Sequence, residues 1–142
     1  MKRTAALLAL LLPLALQPAY GQSATPAPNI PTIAVPSGGA TVTGQVAAGA
    51  RNVYYVQANS LQALSVSIAS PGNNAVFQVY DTSTMVGGSA TNAVITGKAL
   101  TDAGPRDASM AWMGVIPQTG LYLIAIDSKS GPASYTLSVQ LQ

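Results

Sequence analysis

The sequence predicts an all-β fold, a single antiparallel β-sandwich, and three observations carry that prediction. Apolar residues beyond residue 40 recur with period two rather than the helical 3.6. The apolar runs are short, and clusters of Gly, Pro, Asn and Ser separate them. No internal repeat, coiled-coil heptad or convincing helix competes with that pattern.

Taken in order, the chain opens with Met1-Lys2-Arg3 and then carries no charge from Thr4 to Leu16. A cationic start and a short apolar core are the marks of a signal peptide, and the core is too short to span a bilayer. Ala19 and Gly21 supply the small residues of a cut before Gln22, so residues 1–21 are expected to direct export and be removed. No cysteine follows the apolar core to carry a lipid, and the mature chain is expected to have no transmembrane anchor. The destination is the periplasm or the medium of a bacterium. Residues 22–39 hold Pro26, Pro28, Pro31 and Pro36 among small polar residues, which predicts a flexible leader ahead of a β-sandwich domain at 40–142.

Within that domain Val42, Gly44 and Val46 alternate with Thr41, Thr43 and Gln45. Tyr54, Val56 and Ala58 follow, then Leu64, Val66 and Ile68 between serines. The C-terminus sets Tyr135, Leu137, Val139 and Leu141 against Thr136, Ser138, Gln140 and Gln142. Each alternation predicts a strand with one buried and one wet face. Ala75–Tyr80 and Leu121–Ile126 are apolar on both faces, which predicts central or covered strands. Trp112–Ile116 is a further strand, with Trp112 expected in a core or intersheet position rather than as a sugar platform. Thr82–Asp107 is loop-like apart from a strand at Ala93–Thr96.

Composition removes most chemistry. The chain has no cysteine, histidine or glutamate; its acids are Asp81, Asp102, Asp107 and Asp127. Disulfides, Cys/His metal sites, the Ser-His-Asp triad and the Cys-His dyad are therefore excluded. Loss of Lys2 and Arg3 with the signal leaves Arg51, Lys98, Arg106 and Lys129 against four aspartates, a formal net charge of zero. Four scattered cations make no basic stripe for nucleic acid. With so little charge and an unpaired strand edge, copies of the chain are expected to associate into a homo-oligomer.

Two clusters bear a resemblance. The first is Tyr54-x-Val56-x-Ala58, Gln62-x-Leu64-x-Val66-x-Ile68 and Ala75-x-Phe77-x-Val79-Tyr80. The second is Pro117-x-Thr119-Gly120-x-Tyr122-x-Ile124-x-Ile126 with Ser134-Tyr135-x-Leu137-x-Val139. Over residues 41–142 the chain resembles the bacterial pre-peptidase C-terminal domain, and it is similar to the periplasmic inhibitors of g-type lysozyme. The resemblance implies a jelly-roll-like sandwich without catalysis, and a protein partner that in the second case is a lysozyme. It also implies departures. Leu61 stands where the family has glycine, and Leu121 where it often has an acid. The inhibitors' arginine-rich loop is here Asp127-Ser128-Lys129-Ser130-Gly131-Pro132, with a single cation.

Individual candidates are few. Gly97-Lys98 lacks both the glycine and the hydroxyl of a phosphate loop. Asp127-x-Lys129-x-Gly131 has too few oxygens for calcium, and no metal or cofactor is expected. Asp102 and Asp107 flanking Arg106 suit a solvated ion pair better than an acid–base couple. The expectation is a secreted, non-enzymatic module that binds a protein or another envelope component. Its contact residues would be Arg106, Asp107, Asp127, Ser128 and Lys129. The alternatives are a g-type lysozyme inhibitor and a self-assembling or adhesive surface protein.

Overall fold

A computed structural model describes residues 29–103 and 109–142. It contains β1 (Thr32–Ile33), β2 (Ala40–Val46), β3 (Asn52–Ala58), β4 (Ala63–Ala69) and β5 (Ala75–Tyr80). Beyond these lie β6 (Met85–Ser89), β7 (Asn92–Thr96), β8 (Ala111–Val115), β9 (Gly120–Ser128) and β10 (Ala133–Leu141). A 3-10 turn at Pro71–Asn73 joins β4 to β5. No helix among the described residues is long and apolar enough to cross a membrane.

Two four-stranded sheets face each other, one ordered β1-β3-β9-β5 and the other β2-β10-β4-β8. All of their pairings are antiparallel except that of β1 with β3. The sandwich expected from the period-two pattern is the one observed. Its filling comes from the inward-facing residues: Val56, Phe77, Val79, Tyr122, Ile124 and Ile126 of the first sheet meet Val46, Leu64, Val66, Leu137 and Val139 of the second. Each fully buried side chain of this size contributes roughly 1.5–3 kcal/mol relative to exposure, which makes this layer the main source of cohesion.

A second, smaller core explains the strands that are apolar on both faces. Val53, Tyr80, Leu123 and Ala125 point out of the sandwich from the first sheet, yet all are buried. Val86, Ala93 and Ile95 pack over them, and Ile30 joins from the N-terminal side. Those covering residues belong to an antiparallel hairpin of β6 and β7, with Val86 opposite Ile95. The expectation of a loop through Thr82–Asp107 is therefore corrected. The strand at Ala93–Thr96 is present, but β6 precedes it and the hairpin closes the sheet's outer face. Gly87 and Gly88 hid β6, because they remove side chains where the alternation would have shown.

The leader also carries structure near its end. Thr32 and Ile33 lie parallel to Tyr55 and Val56, the Tyr55 N–H donates to the Pro31 carbonyl at 2.9 Å, and Ile33 is buried. The paired structure therefore begins ahead of Ala40. Pro31 sits at the outer margin of the sheet, where a missing N–H costs nothing.

Candidate functional site

The starts of β3 and β10 and the ends of β2 and β9 meet at one end of the sandwich, with the turns 47–51, 70–74 and 128–132 around them. Three of the residues expected to make partner contacts, Asp127, Ser128 and Lys129, lie here. Arg106 and Asp107 fall outside the described residues.

The turn between β9 and β10 is held from both sides. The Asn74 side chain donates to the Ser130 carbonyl at 2.6 Å and accepts from the Ser130 N–H at 3.0 Å. The Asn74 carbonyl accepts from the Lys129 N–H at 2.8 Å. Within the turn the Ser128 hydroxyl donates to the Gly131 carbonyl, and Gly131 takes a φ of 62°. The main chain is thus pinned while the Lys129 side chain projects into solvent.

Asp127 has a partner of its own. Arg51 Nε donates to its Oδ1 at 2.8 Å, with the two side chains 31% and 23% exposed. Burial opposes the charge on Arg51, but the bond and the charge of Asp127 outweigh it, and the guanidinium pKa is raised. Sequence reasoning missed Arg51 as part of this region. The available signal was its place just before one strand, with Asp127 near the end of the strand that pairs with it (Asn52 lies opposite Ile126). At this exposure the pair is worth about 0–1 kcal/mol, so it orients the turn more than it stabilises the fold.

Beneath the turn sits a polar cluster. Asn52 Nδ2 donates to the Tyr135 hydroxyl and to the Gln45 carbonyl, both at 3.0 Å, and the Tyr135 and Tyr54 hydroxyls bond at 2.7 Å. The ring of Tyr135 lies across Gly44 of the neighbouring strand, where a Cβ would not fit. Burial, then the bond to Tyr135, raises the Tyr54 pKa above its usual value of 10. The two hydroxyls and the Asn52 amide nitrogen form a bonded network that ties β3 to β10.

A second concave region lies across the outer face of the other sheet. Ser65, Ser67, Ala111, Met113, Ser138 and Gln140 line a shallow groove of about 470 Å³. Beside it, β8 and the segment Leu100–Asp102 bound a hollow of about 390 Å³. Trp112 belongs to both. It is partly buried against the intersheet core, its ring lies over Gly114, and its Nε1 donates to the Thr101 carbonyl at 2.9 Å. The core role expected for it is met in part, at the margin of the sandwich.

Among the described aspartates, Asp127 is paired with Arg51 and Asp81 accepts from the Ser83 N–H and hydroxyl in a turn. Asp102 occupies a turn with φ 61°. No group of three His, Cys, Asp or Glu able to hold a metal occurs among the described residues.

No family model matches the chain, and no curated protein is similar to it in sequence. Solved structures do resemble it. The Aeromonas hydrophila periplasmic inhibitor of g-type lysozyme, PliG, aligns with a TM-score of 0.60 and 21% identity, over 80% of this chain and 96% of that one. The Salmonella Typhimurium PliG gives 0.51 and 16%, over 78% and 96%. A pre-peptidase C-terminal domain of a Bacillus anthracis collagenase gives 0.49 and 14%, over 80% and 96%. The inhibitors are among the proteins the sequence motifs resemble, and at these identities what the chain shares with them is the fold: a small β-sandwich of PliG type.

Proposed function

We propose that this protein is an exported, non-catalytic β-sandwich that works by binding a protein partner in the bacterial envelope. The contact is the end of the sandwich bearing Asp127, Ser128 and Lys129, with Arg51 beside them and Arg106 and Asp107 included on sequence grounds. The observation that carries this reading is the pinned turn Asp127–Pro132, held by Asn74 with Lys129 left outward. A preorganised turn loses little entropy when a partner closes on it. The shortage of acid–base groups supports binding over catalysis. A pull-down of envelope extract with the purified protein tests the proposal. Recovery of one partner by the wild type and its loss with Lys129→Glu is the expected result. Retention of the same partner by Lys129→Glu and by Arg106→Glu would remove this surface from consideration. Export is tested by mass spectrometry, with an N-terminus at Gln22 expected.

A second reading, inhibition of g-type lysozyme, is favoured by the fold likeness to solved inhibitors over 96% of their chains. The turn's single cation argues against it, since the inhibitors' loop that it replaces is rich in arginine. Little or no inhibition of g-type lysozyme at equimolar protein is expected, and potent inhibition would make this the better reading.

A further inference from the structure

The sheet β1-β3-β9-β5 protects its edges. Along β5, Leu100 N–H donates to the Val79 carbonyl, Val79 N–H to the Ala103 carbonyl, and Phe77 exchanges bonds with Ser109. β1 is only two residues long. The outer edge of β2 is capped only at the Gln45 carbonyl, by Asn52, and the exposed side chains beside it are the polar Thr41, Thr43 and Gln45.

The outer edge of β8 has no cover among the described residues either, and unlike that of β2 it is flanked by exposed apolar side chains. The Met110 carbonyl accepts from Ile68 N–H at 2.9 Å, and Ile116 N–H donates to the Gln62 carbonyl at 2.8 Å. With Trp112 opposite Val66, the even-numbered residues therefore turn their main-chain groups toward β4. Ala111, Met113 and Val115 turn theirs away from the sheet. Their side chains are equally unprotected, with Met113 71% and Val115 65% exposed. Edges are ordinarily defended by a charge, a proline or a bulge, and β8 has none of these. The strands of this sheet, β2, β10, β4 and β8, contain no Asp, Glu, Lys or Arg at all. The charged residue lining the adjoining hollow is Asp102, on the wall opposite β8.

We propose that β8 is the surface through which two copies of this chain pair, edge to edge and antiparallel about a two-fold axis at Met113. Their uncharged sheets then become one continuous sheet. A row of free N–H and C=O groups accepts only another extended strand, and absence of charge selects the copy. A two-fold interface sets each residue near its own duplicate, so a charged face would repel itself while this one does not. The register fits. Ala111 falls opposite Val115 of the second copy and Met113 opposite Met113, each pair exchanging N–H···O bonds. Trp112 falls opposite Gly114, which has no side chain to oppose it. A strand of five residues covers less than the roughly 800 Å² per partner of a durable interface, so the dimer is weak and concentration-dependent. This pairing is independent of the contact proposed around Lys129.

Sedimentation equilibrium of the purified protein over a wide concentration range tests it, with Met113→Lys against the control Val94→Lys on the exposed face of β7. The wild type and Val94→Lys are expected to dimerise alike, and Met113→Lys to weaken association at least tenfold. Because the chain has no cysteine, Met113→Cys gives a second readout. Paired residues in this register lie about 5.5 Å apart at Cα, within disulfide reach, so mild oxidation should yield a covalent dimer from Met113→Cys and none from Val94→Cys. A strictly monomeric wild type at high concentration overturns the proposal. So does a dimer that Met113→Lys leaves intact, and so does equal cross-linking at both cysteines.

Discussion

Leu61 is a residue whose cost can be read from its backbone. It holds φ at 72° in the turn between β3 and β4 while its side chain is 83% exposed. Its N–H donates to the Ile116 carbonyl at 2.8 Å and the following Gln62 N–H to the Asn59 carbonyl at 3.1 Å, so the turn cannot relax without losing bonds. A leucine in the left-handed region costs about 1–2 kcal/mol, and this one recovers nothing by burial. Leu61→Gly should therefore stabilise the protein by about 0.5–1 kcal/mol, after the extra freedom glycine gives the unfolded chain. Leu61→Ala keeps the strain and should stay within about 0.5 kcal/mol of wild type. Equal urea midpoints for the two variants would show that the turn carries no such strain. The glycine expected here from the resemblance was thus a statement about conformation, which composition and periodicity could not have made.

Among the strands, β10 was the easiest to anticipate because every second residue is apolar and the face pattern follows. Leu137 and Val139 are fully buried, whereas Ser138 lines the outer groove. Leu137→Ala should cost about 2–5 kcal/mol through the cavity it leaves, and Ser138→Ala less than about 0.5 kcal/mol. Urea melts giving equal losses would contradict the assignment of faces. β5 and β9 were legible as covered strands, but what covers them was not. The hairpin supplies its apolar face from Val86, Ala93 and Ile95 spread over two strands, with glycines between them, and no local period survives that dilution. The same limit applies to the candidate site. Asp127, Ser128 and Lys129 are neighbours in sequence and were found together. Arg51 and Asn74 reach the same turn from the residues just ahead of β3 and β5, and such partners appear only once the register is known.

For the whole molecule, the informative quantity is the set of groups that titrate. With no histidine, cysteine or glutamate, no side-chain type present changes charge between about pH 5 and pH 9 at its unperturbed pKa, leaving the terminal amine alone in that interval. Stability and the proposed self-association should both be nearly flat across it, since the slope with pH follows the difference in bound protons between states. Above that interval the behaviour changes. The Tyr54 pKa in the folded protein is raised above the ordinary 10, by burial first and then by Tyr135. Between those two values the unfolded chain loses a proton that the folded chain keeps. The stabilisation is therefore complete below about pH 10 and declines as pH rises toward the folded pKa. Urea midpoints measured from pH 5.5 to about pH 11 should show a plateau and then an alkaline fall. Tyr54→Phe lacks the titrating phenol, so its alkaline limb should be shallower, although the variant starts lower by about 1 kcal/mol for the lost bond to Tyr135. A step in the wild-type profile near pH 6, below the range of the terminal amine, would mean that an aspartate titrates far from its normal range. That group would then be the first place to look for chemistry that the composition otherwise denies.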